Sequence, residues 1–335
     1  MALTVLSAGP AVTIQDMGRP GWLAQGLSRG GAMDRLALVE AAALLGQSET
    51  LAALEIPGSF LALRVERAAR LALTGAPMRA TCNGAPLAWH ATHAVPAGAR
   101  VEVAAPTGGF GYLSFGGGIE APMILGSRSA HLAAGIGRPV AAGDTLPLGQ
   151  DPGGRIGQRL AVPDRFSGGR IRFADGPQTR RFEPETLERF QATSFTRDAR
   201  GNRMGLRLTG GSFAVAEGLS ILSDAVLPGD IQITGDGTPC VLLAECQTSG
   251  GYPRIGRILP CDLPRLVQAP TGAELVFERI DAAAALMLER AEAERRARLR
   301  MGILPLIRDP AAIPDLLSYQ LVGGVTRGDE LERDA

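Results

Sequence analysis

The chain reads as a mainly β protein, and three observations carry that reading. Short alternating apolar segments recur along its 335 residues, glycine (44) and proline (23) interrupt them at close intervals, and few stretches have helical spacing. Side chains alternate across a strand with a period of two, and glycine and proline end strands in turns. The combination predicts barrels or sandwiches built of antiparallel strands.

The strand segments, in order, are "FLALRV" (60–65), "RLALTG" (70–75), "ARVEVAA" (99–105), "GYLSFGG" (111–117), "RIRFADG" (170–176), "SFAVA" (212–216), "DIQIT" (230–234), "CVLLA" (240–244) and "ELVFERI" (274–280). Helices are fewer. Asp34 is placed to cap "RLALVEAAALL", with Leu36, Val39 and Ala43 on one face and Gly46 as its stop. "PETLERF" reads as a short helix, Asp262 as the cap of "LPRLVQ", and Asp281 as the cap of "AAAALMLERAEAERRARLR", whose final arginines suit the negative end of a helix. "AVPAGARVEV" (94–103) and "QAPTGAELVF" (268–277) share Pro, then Gly-Ala, then alternating residues, and each reads as strand–turn–strand closing a β unit. The expected organisation is therefore a first β domain over 1–160, a second over 161–280 and a C-terminal helix and tail over 281–335. "LGQDPGGRIGQRL" has the composition of a linker, and "YQLVGGV" in the tail is a candidate late strand.

Composition excludes several classes. No run of about 18 apolar residues exists, and the start lacks the basic end and long apolar run of a signal peptide, so a cytoplasmic protein is expected, without a membrane partner. Basic and acidic residues balance at 34 each, which disfavours a nucleic-acid partner. Every basic residue is arginine; without lysine there is no Schiff base, no P-loop lysine and no biotinyl-lysine on this chain. Three histidines and four cysteines without a CxxC pair leave no expected metal site. Nothing has the pattern of a Ser-His-Asp or Cys-His triad. Cys246 has no histidine near it in sequence, and Glu245 beside it would raise its pKa if the side chains met.

Four stretches concentrate polar groups around glycine. "TIQDMGRPGW" (13–22) sets Arg19 among glycines and proline, with Asp16 either in the site or bonded to local N–H groups. "SRGGAMD" (28–34) offers backbone N–H groups ahead of a helix, suited to an anion, although Asp34 also serves as a plain cap. "FGGGIEAPMILGSRS" (115–129) carries Arg128, able to hold a carboxylate or phosphate bidentately, after three glycines that signal close contact or unusual backbone angles. "GNRMGLRL" (201–208) supplies Asn202 and Arg203, and "AECQTSGGYPR" (244–254) supplies Gln247 and Thr248 with Gly250, Gly251 and Tyr252. These donors suit the carbonyls and carboxylates of a small polar substrate.

"TIQDMGRPGW", "GAMDRLAL", "LGSRS", "GNRMGLRL" and "QTSGGYPRIGRILPCDLPRL" stand in that order between residues 13 and 266. On these five motifs the chain resembles the family known as biotin-dependent carboxyltransferase-like, allophanate hydrolase subunit 2, or kinase-inhibitor antagonist. The resemblance implies tandem cyclophilin-like β-barrel domains and work beside a kinase-inhibitor-like partner, the B-type subunit. It implies the C-type subunit of an ATP-dependent 5-oxoprolinase. With the B-type subunit and a lactam-hydrolase partner (the A-type subunit), that protein converts 5-oxoproline to glutamate, ATP being shared with the partners. The alternatives it allows are a carboxyltransferase for urea or another small amide, with biotin on a separate carrier, and a non-enzymatic antagonist that sequesters the kinase-inhibitor-like partner. Carried over by position, the pocket would take Gln15, Asp16, Arg19, Asp34 and Arg128 from one half. Asn202, Arg203, Gln232, Gln247, Thr248, Gly250, Gly251, Tyr252 and Asp262 would come from the other, with Asp16, Asn202, Arg203 and Gln247 in catalytic roles. Cys246 stands where many relatives carry a basic residue. One shared cavity gripping a compact amide is the expectation.

Overall fold

The polypeptide alternates hydrophobic and polar residues over most of its strands, and the computed structural model, which describes residues 2–105, 108–213, 221–307 and 315, places the apolar faces in two β units. In the first, a six-stranded sheet runs in the spatial order Thr145–Pro147, Ala2–Ala8, Phe60–Val65, Arg100–Ala104, Arg79–Cys82, Ala85–Pro86. A seven-stranded sheet follows the order Thr13–Gln15, Ala53–Pro57, Phe110–Phe115, Ala69–Gly75, Ala91–Val95, Gln158–Leu160, Ile303–Pro305. Both contribute to one largely aliphatic core that includes Leu3, Val5, Leu61, Leu63, Leu54, Ile56, Leu71, Leu73 and Leu113.

The second unit is a closed barrel: Gly169–Ala174, Arg254–Ile258, Asp230–Ile233, Pro239–Leu242, Gly205–Thr209, Ser194–Arg197 and Glu274–Arg279. A parallel pairing of Gly169–Ala174 with Glu274–Arg279 closes it, and its other pairs are antiparallel. Closure removes sheet edges that would otherwise seek partners. Its interior is aromatic: Phe173, Phe190, Phe195, Phe213 and Phe277 contact one another with ring centroids 4.9–6.5 Å apart. The same cluster continues into Met33, Ala37, Ala53 and Tyr112 of the first unit, so the two halves share a core.

Helix α1 (Arg35–Leu45) sits at that junction. Ten of its eleven residues are buried, in keeping with a sequence that is apolar apart from Arg35 and Glu40. Asp34 Oδ1 accepts from Ala37 N, and Gly46 ends the helix in the left-handed region (φ 66°). Arg70 Nη1 donates to the terminal carbonyl of Leu45 at 2.9 Å. Helix α2 (Pro184–Ala192) packs on the barrel through Leu187 and Phe190. Helix α3 (Leu263–Gln268) forms as expected, but Asp262 does not cap it. The carboxylate is drawn off by Arg172, whose N, Nε and Nη2 donate at 2.7, 2.8 and 2.6 Å. Helix α4 (Ala282–Ala297) is capped by Asp281, which accepts from Ala284 N at 2.7 Å; it ends before the last arginines, which pass into a short 3₁₀ turn.

Other expectations change. The two Pro…Gly-Ala segments do make matching turns, with Ala99 N on Pro96 O and Ala273 N on Pro270 O and left-handed Gly98 and Gly272. The second, however, is entered from α3 rather than from a strand. The glycine-rich 148–160 segment is tied to the first unit: Asp151 pairs with Arg70 (Nε 2.9 Å), and Gln158–Leu160 joins its sheet. Ser212 and Phe213 are not in a strand, and residues 214–216 of "SFAVA" and all of "YQLVGGV" lie outside the described residues. Ile303–Pro305 forms a late strand against Gln158–Leu160. Among the described residues no helix is long and apolar enough to cross a membrane.

Candidate functional site at the junction of the two units

Arg203 joins the halves. It lies in the turn between strands Ser194–Arg197 and Gly205–Thr209 and reaches into the first unit, 9% exposed. Its Nε donates to Glu245 Oε1 (2.5 Å), its Nη2 to Gly31 O (2.6 Å), and its Nη1 to Glu55. Coulombic attraction to Glu55 and Glu245 outweighs the desolvation that is the largest single influence, and the guanidinium stays above its ordinary pKa. Glu55 Oε2 accepts from Met33 N (2.8 Å) and from Tyr112 Oη (2.7 Å), while Tyr112 Oη accepts from Asp34 N (2.8 Å). Burial, then Glu55, pushes the Tyr112 hydroxyl up and keeps it a donor. Asp34 Oδ2 accepts from Arg165 Nε (2.9 Å) and Gln268 Nε2 (2.8 Å), and Arg165 holds both oxygens of Glu40 at 2.8 Å. Burial pushes the Glu40 carboxyl up, against the opposing pull of Arg165.

Beside this network opens a cavity of about 480 Å³. The first unit contributes Pro10, Ala11, Pro57, Phe110, Leu132 and Ala133; the second contributes Arg197, Asn202, Arg203, Met204 and Glu245. A mostly apolar concavity with a few polar groups, between two structural units, is where small-molecule sites form. Gly109 (φ 108°) lines it, at a position that admits only glycine because a Cβ there would lie 2.7 Å from that of Ala76. Asn202 Oδ1 accepts from Met204 N (2.8 Å) and Gly205 N (3.2 Å), which fixes the amide orientation and leaves Nδ2 without a protein partner among the described residues. Arg197 Nη1 donates to Val267 O (3.0 Å) and Ala269 O (2.6 Å), and its buried Nε has no partner among the described residues.

The sequence-derived residues divide among several places. Asn202 and Arg203 line the junction cavity. Asp16 is buried and fully engaged by Gly18 N (2.8 Å), Ser127 Oγ (2.6 Å), Arg128 N (2.6 Å) and Ser129 Oγ. Gln15 Nε2 donates to Thr13 Oγ1 and Ala130 O at 3.0 and 3.2 Å. Arg19, with none of its surface exposed, donates from Nη2 to Ser129 O at 2.5 Å, and its Nη1 finds no partner among the described residues. Arg128 donates to Ala121 O and lines a separate cavity of about 260 Å³ within the first unit. Asp34 sits in the buried network described above. Gln247 is exposed and approaches buried Gln232 at 3.4 Å, beside a small two-stranded sheet that includes Gly250. Thr248 O and Gly251 O accept from Val226 N and Ile221 N, and Tyr252 is 43% exposed. Asp262 borders a third cavity of about 290 Å³.

The expected single cavity is thus corrected. Arg19 and Gln247 do not line the space that Asn202 and Arg203 line, because Arg19 is completely buried inside its own loop cluster and Gln247 stands on the barrel surface. The Gly30–Gly31 loop is likewise not an open anion cradle. A Cβ on Gly31 would lie 2.6 Å from Gly18 N, Ala32 N donates to Asp16 O, and Gly30 N donates to Ala244 O. Arg197 and Glu245 carry the cavity's remaining charge and were not singled out as site residues. A carboxylate directly following the apolar run "CVLLA" was the available signal for Glu245; Arg197 had none in the sequence.

The fold also assembles a set that the sequence concealed. Ser28 Oγ lies 2.9 Å from His131 Nε2, and His131 Nδ1 lies 3.9 Å from Glu245 Oε2. The resemblance to a triad stops at the protons. Nδ1 accepts from Ala134 N (3.2 Å), so Nε2 carries the proton and donates to Ser28, and all three side chains are buried. The group holds the segment Leu132–Ala134 in place, helped by Glu245 Oε2 accepting from Ala133 N at 3.0 Å. Burial, and then Asp230 rather than Glu245, pushes the Cys246 thiol up to about 12, which makes it a poor nucleophile.

A mainly β chain of two units with a mostly apolar cavity between them belongs to a defined class of protein. The carboxyltransferase domain, subdomain A and B, matches residues 25–279, and the chain belongs to that family. It is 35% identical to the C-type subunit of the 5-oxoprolinase of Escherichia coli over 282 residues, covering 82% of this chain and 90% of that one. Among solved structures it is similar to TTHA0988 (TM-score 0.77, 30% identity), covering 83% of this chain and 55% of that longer one. It also shares the fold of the Kluyveromyces lactis urea carboxylase (TM-score 0.81, 24% identity), covering 92% of this chain and 31% of that one.

Proposed function

We propose that the chain is the C-type subunit of a cytoplasmic ATP-dependent 5-oxoprolinase, active with a kinase-inhibitor-like partner and a lactam-hydrolase partner. The junction cavity, with Asn202, Arg203, Glu245 and Arg197 on its walls, is the observation that carries the reading, together with the 35% identity to a 5-oxoprolinase component of the same type. Its volume of about 480 Å³ suits a small ligand. In this reading the free Nδ2 of Asn202 donates to the lactam carbonyl, and the wall at Leu132–Ala133 keeps water from the ring.

The glycine loop ahead of α1 does not fit the phosphates of ATP. That loop is filled by Gly18 and Asp16 backbone, and the helix start is capped by the anionic side chain of Asp34. We assign nucleotide chemistry to the two partners. Mixing the purified chain with both of them and assaying glutamate from 5-oxoproline tests the proposal; full activity of the partners without it would end it. The family's carboxyltransferase description supports a second reading, carboxyl transfer to a small amide from biotin on a separate carrier. Carboxylation of urea by the chain with a biotinylated carrier, in place of glutamate release, would select that reading.

A further inference from the structure

We propose that Arg197 makes the junction cavity selective for ligands bearing a carboxylate over neutral amides of the same shape. The inference rests on the functional reading above for the identity of the ligand, but on the cavity alone for its charge.

Among the described residues, three charged side chains line that space: Arg197, Arg203 and Glu245. Arg203 and Glu245 pair with each other at 2.5 Å, and each is otherwise engaged: Arg203 with Glu55 and Gly31 O, Glu245 with Ala133 N. Arg197 is left over. It has no carboxylate partner among the described residues, and its hydrogen bonds there run from Nη1 to two backbone carbonyls at the end of α3. Burial without any compensating charge holds its guanidinium below the ordinary value, while leaving it a cation at neutral pH. A half-buried, unneutralised guanidinium whose Nη2 has no partner among the described residues is matched by the charge and acceptor oxygens of a carboxylate. The Asn202 amide, five residues along the same connection, supplies a neutral donor for a carbonyl on the same ligand. A carboxylate beside an amide carbonyl describes 5-oxoproline; urea and other neutral amides lack the group that would answer Arg197.

The test compares two ligands on the intact, full-length chain by titration calorimetry: 5-oxoproline and 2-pyrrolidinone, the same lactam without its carboxylate. The first is expected to bind at least about tenfold more tightly. Arg197→Gln is expected to weaken 5-oxoproline by about 10- to 100-fold and to leave 2-pyrrolidinone unchanged, with Arg197→Lys restoring part of the loss. The ligand comparison uses unaltered protein, so it stands even if the variant folds poorly. Equal affinity for both ligands, or no detectable binding of 5-oxoproline, overturns the inference; so does a well-folded Arg197→Gln chain that binds 5-oxoproline normally. If carboxylates bind through Arg197 while the three-component mixture releases no glutamate, the functional reading falls and the selectivity remains.

Discussion

Two polar loop clusters of this protein look alike in composition and differ in the fold. Around Asp16, a glycine-flanked aspartate accepts from Gly18 N, Ser127, Ser129 and Arg128 N, so its carboxylate is saturated from within the protein. In the turn between the strands Ser194–Arg197 and Gly205–Thr209, Asn202 spends only its oxygen on the backbone, and Arg197, on the cavity wall, leaves Nη2 without a partner among the described residues. The first cluster is a lock that fixes one loop on another. The second has hydrogen-bonding capacity left for a ligand. Buried polar groups are normally satisfied, so residual capacity at a concave surface, rather than polarity, separates a site from a brace.

The largest expected effect falls on the joint between the units. Arg203→Ala leaves Glu55 and Glu245 buried without their cation and should cost about 3–5 kcal/mol in chemical denaturation. A loss below about 1 kcal/mol would mean that the junction is wet and the network weak. Next comes the lock. Asp16→Ala strands two hydroxyls and two backbone N–H groups and is expected to cost about 3 kcal/mol, while any surviving folded protein keeps its ligand affinity. The third substitution reverses that pattern. Asn202→Ala should lower stability by about 1 kcal/mol or less but reduce glutamate release by the three-component mixture about tenfold. If Asp16→Ala abolished binding and Asn202→Ala did not, the contrast between lock and site would be inverted.

The smallest effect concerns pH. Burial lowers His90 to about 4 from 6.5, opposed by its hydrogen bond to Gly75 O. Because the unfolded chain takes up the proton first, this histidine's contribution is fully present above pH 6.5 and is lost as pH falls from 6.5 through 4. Unfolding free energy measured across that window should decline less steeply for His90→Asn, asparagine being a residue that tolerates the left-handed backbone found there (φ 53°).

Much of the fold was legible because it rests on local rules. The strand segments, α1 between Asp34 and Gly46, and the paired Pro…Gly-Ala turns follow from periodicity, capping and backbone freedom, each expressed within about ten residues. Where two partners competed for one group, local reading failed. Asp262 has the sequence of a cap, yet Arg172, ninety residues away, takes its carboxylate. The site was half legible for the same reason: Asn202 and Arg203 stand in a visible glycine-flanked turn, whereas Arg197 ends an ordinary strand and Glu245 follows an apolar one.

By itself the sequence determined a mainly β chain, its family motifs and the absence of lysine, since these depend on residue type and short spacing. Only the tertiary structure decided which polar groups neutralise one another. It set Ser28 against His131 with the proton on the unhelpful side, saturated Asp16 and buried Arg19 within one loop cluster, and left Arg197 at a cavity without a counter-charge of its own. Charge compensation depends on distances between residues tens to more than a hundred positions apart, and no local pattern records those distances.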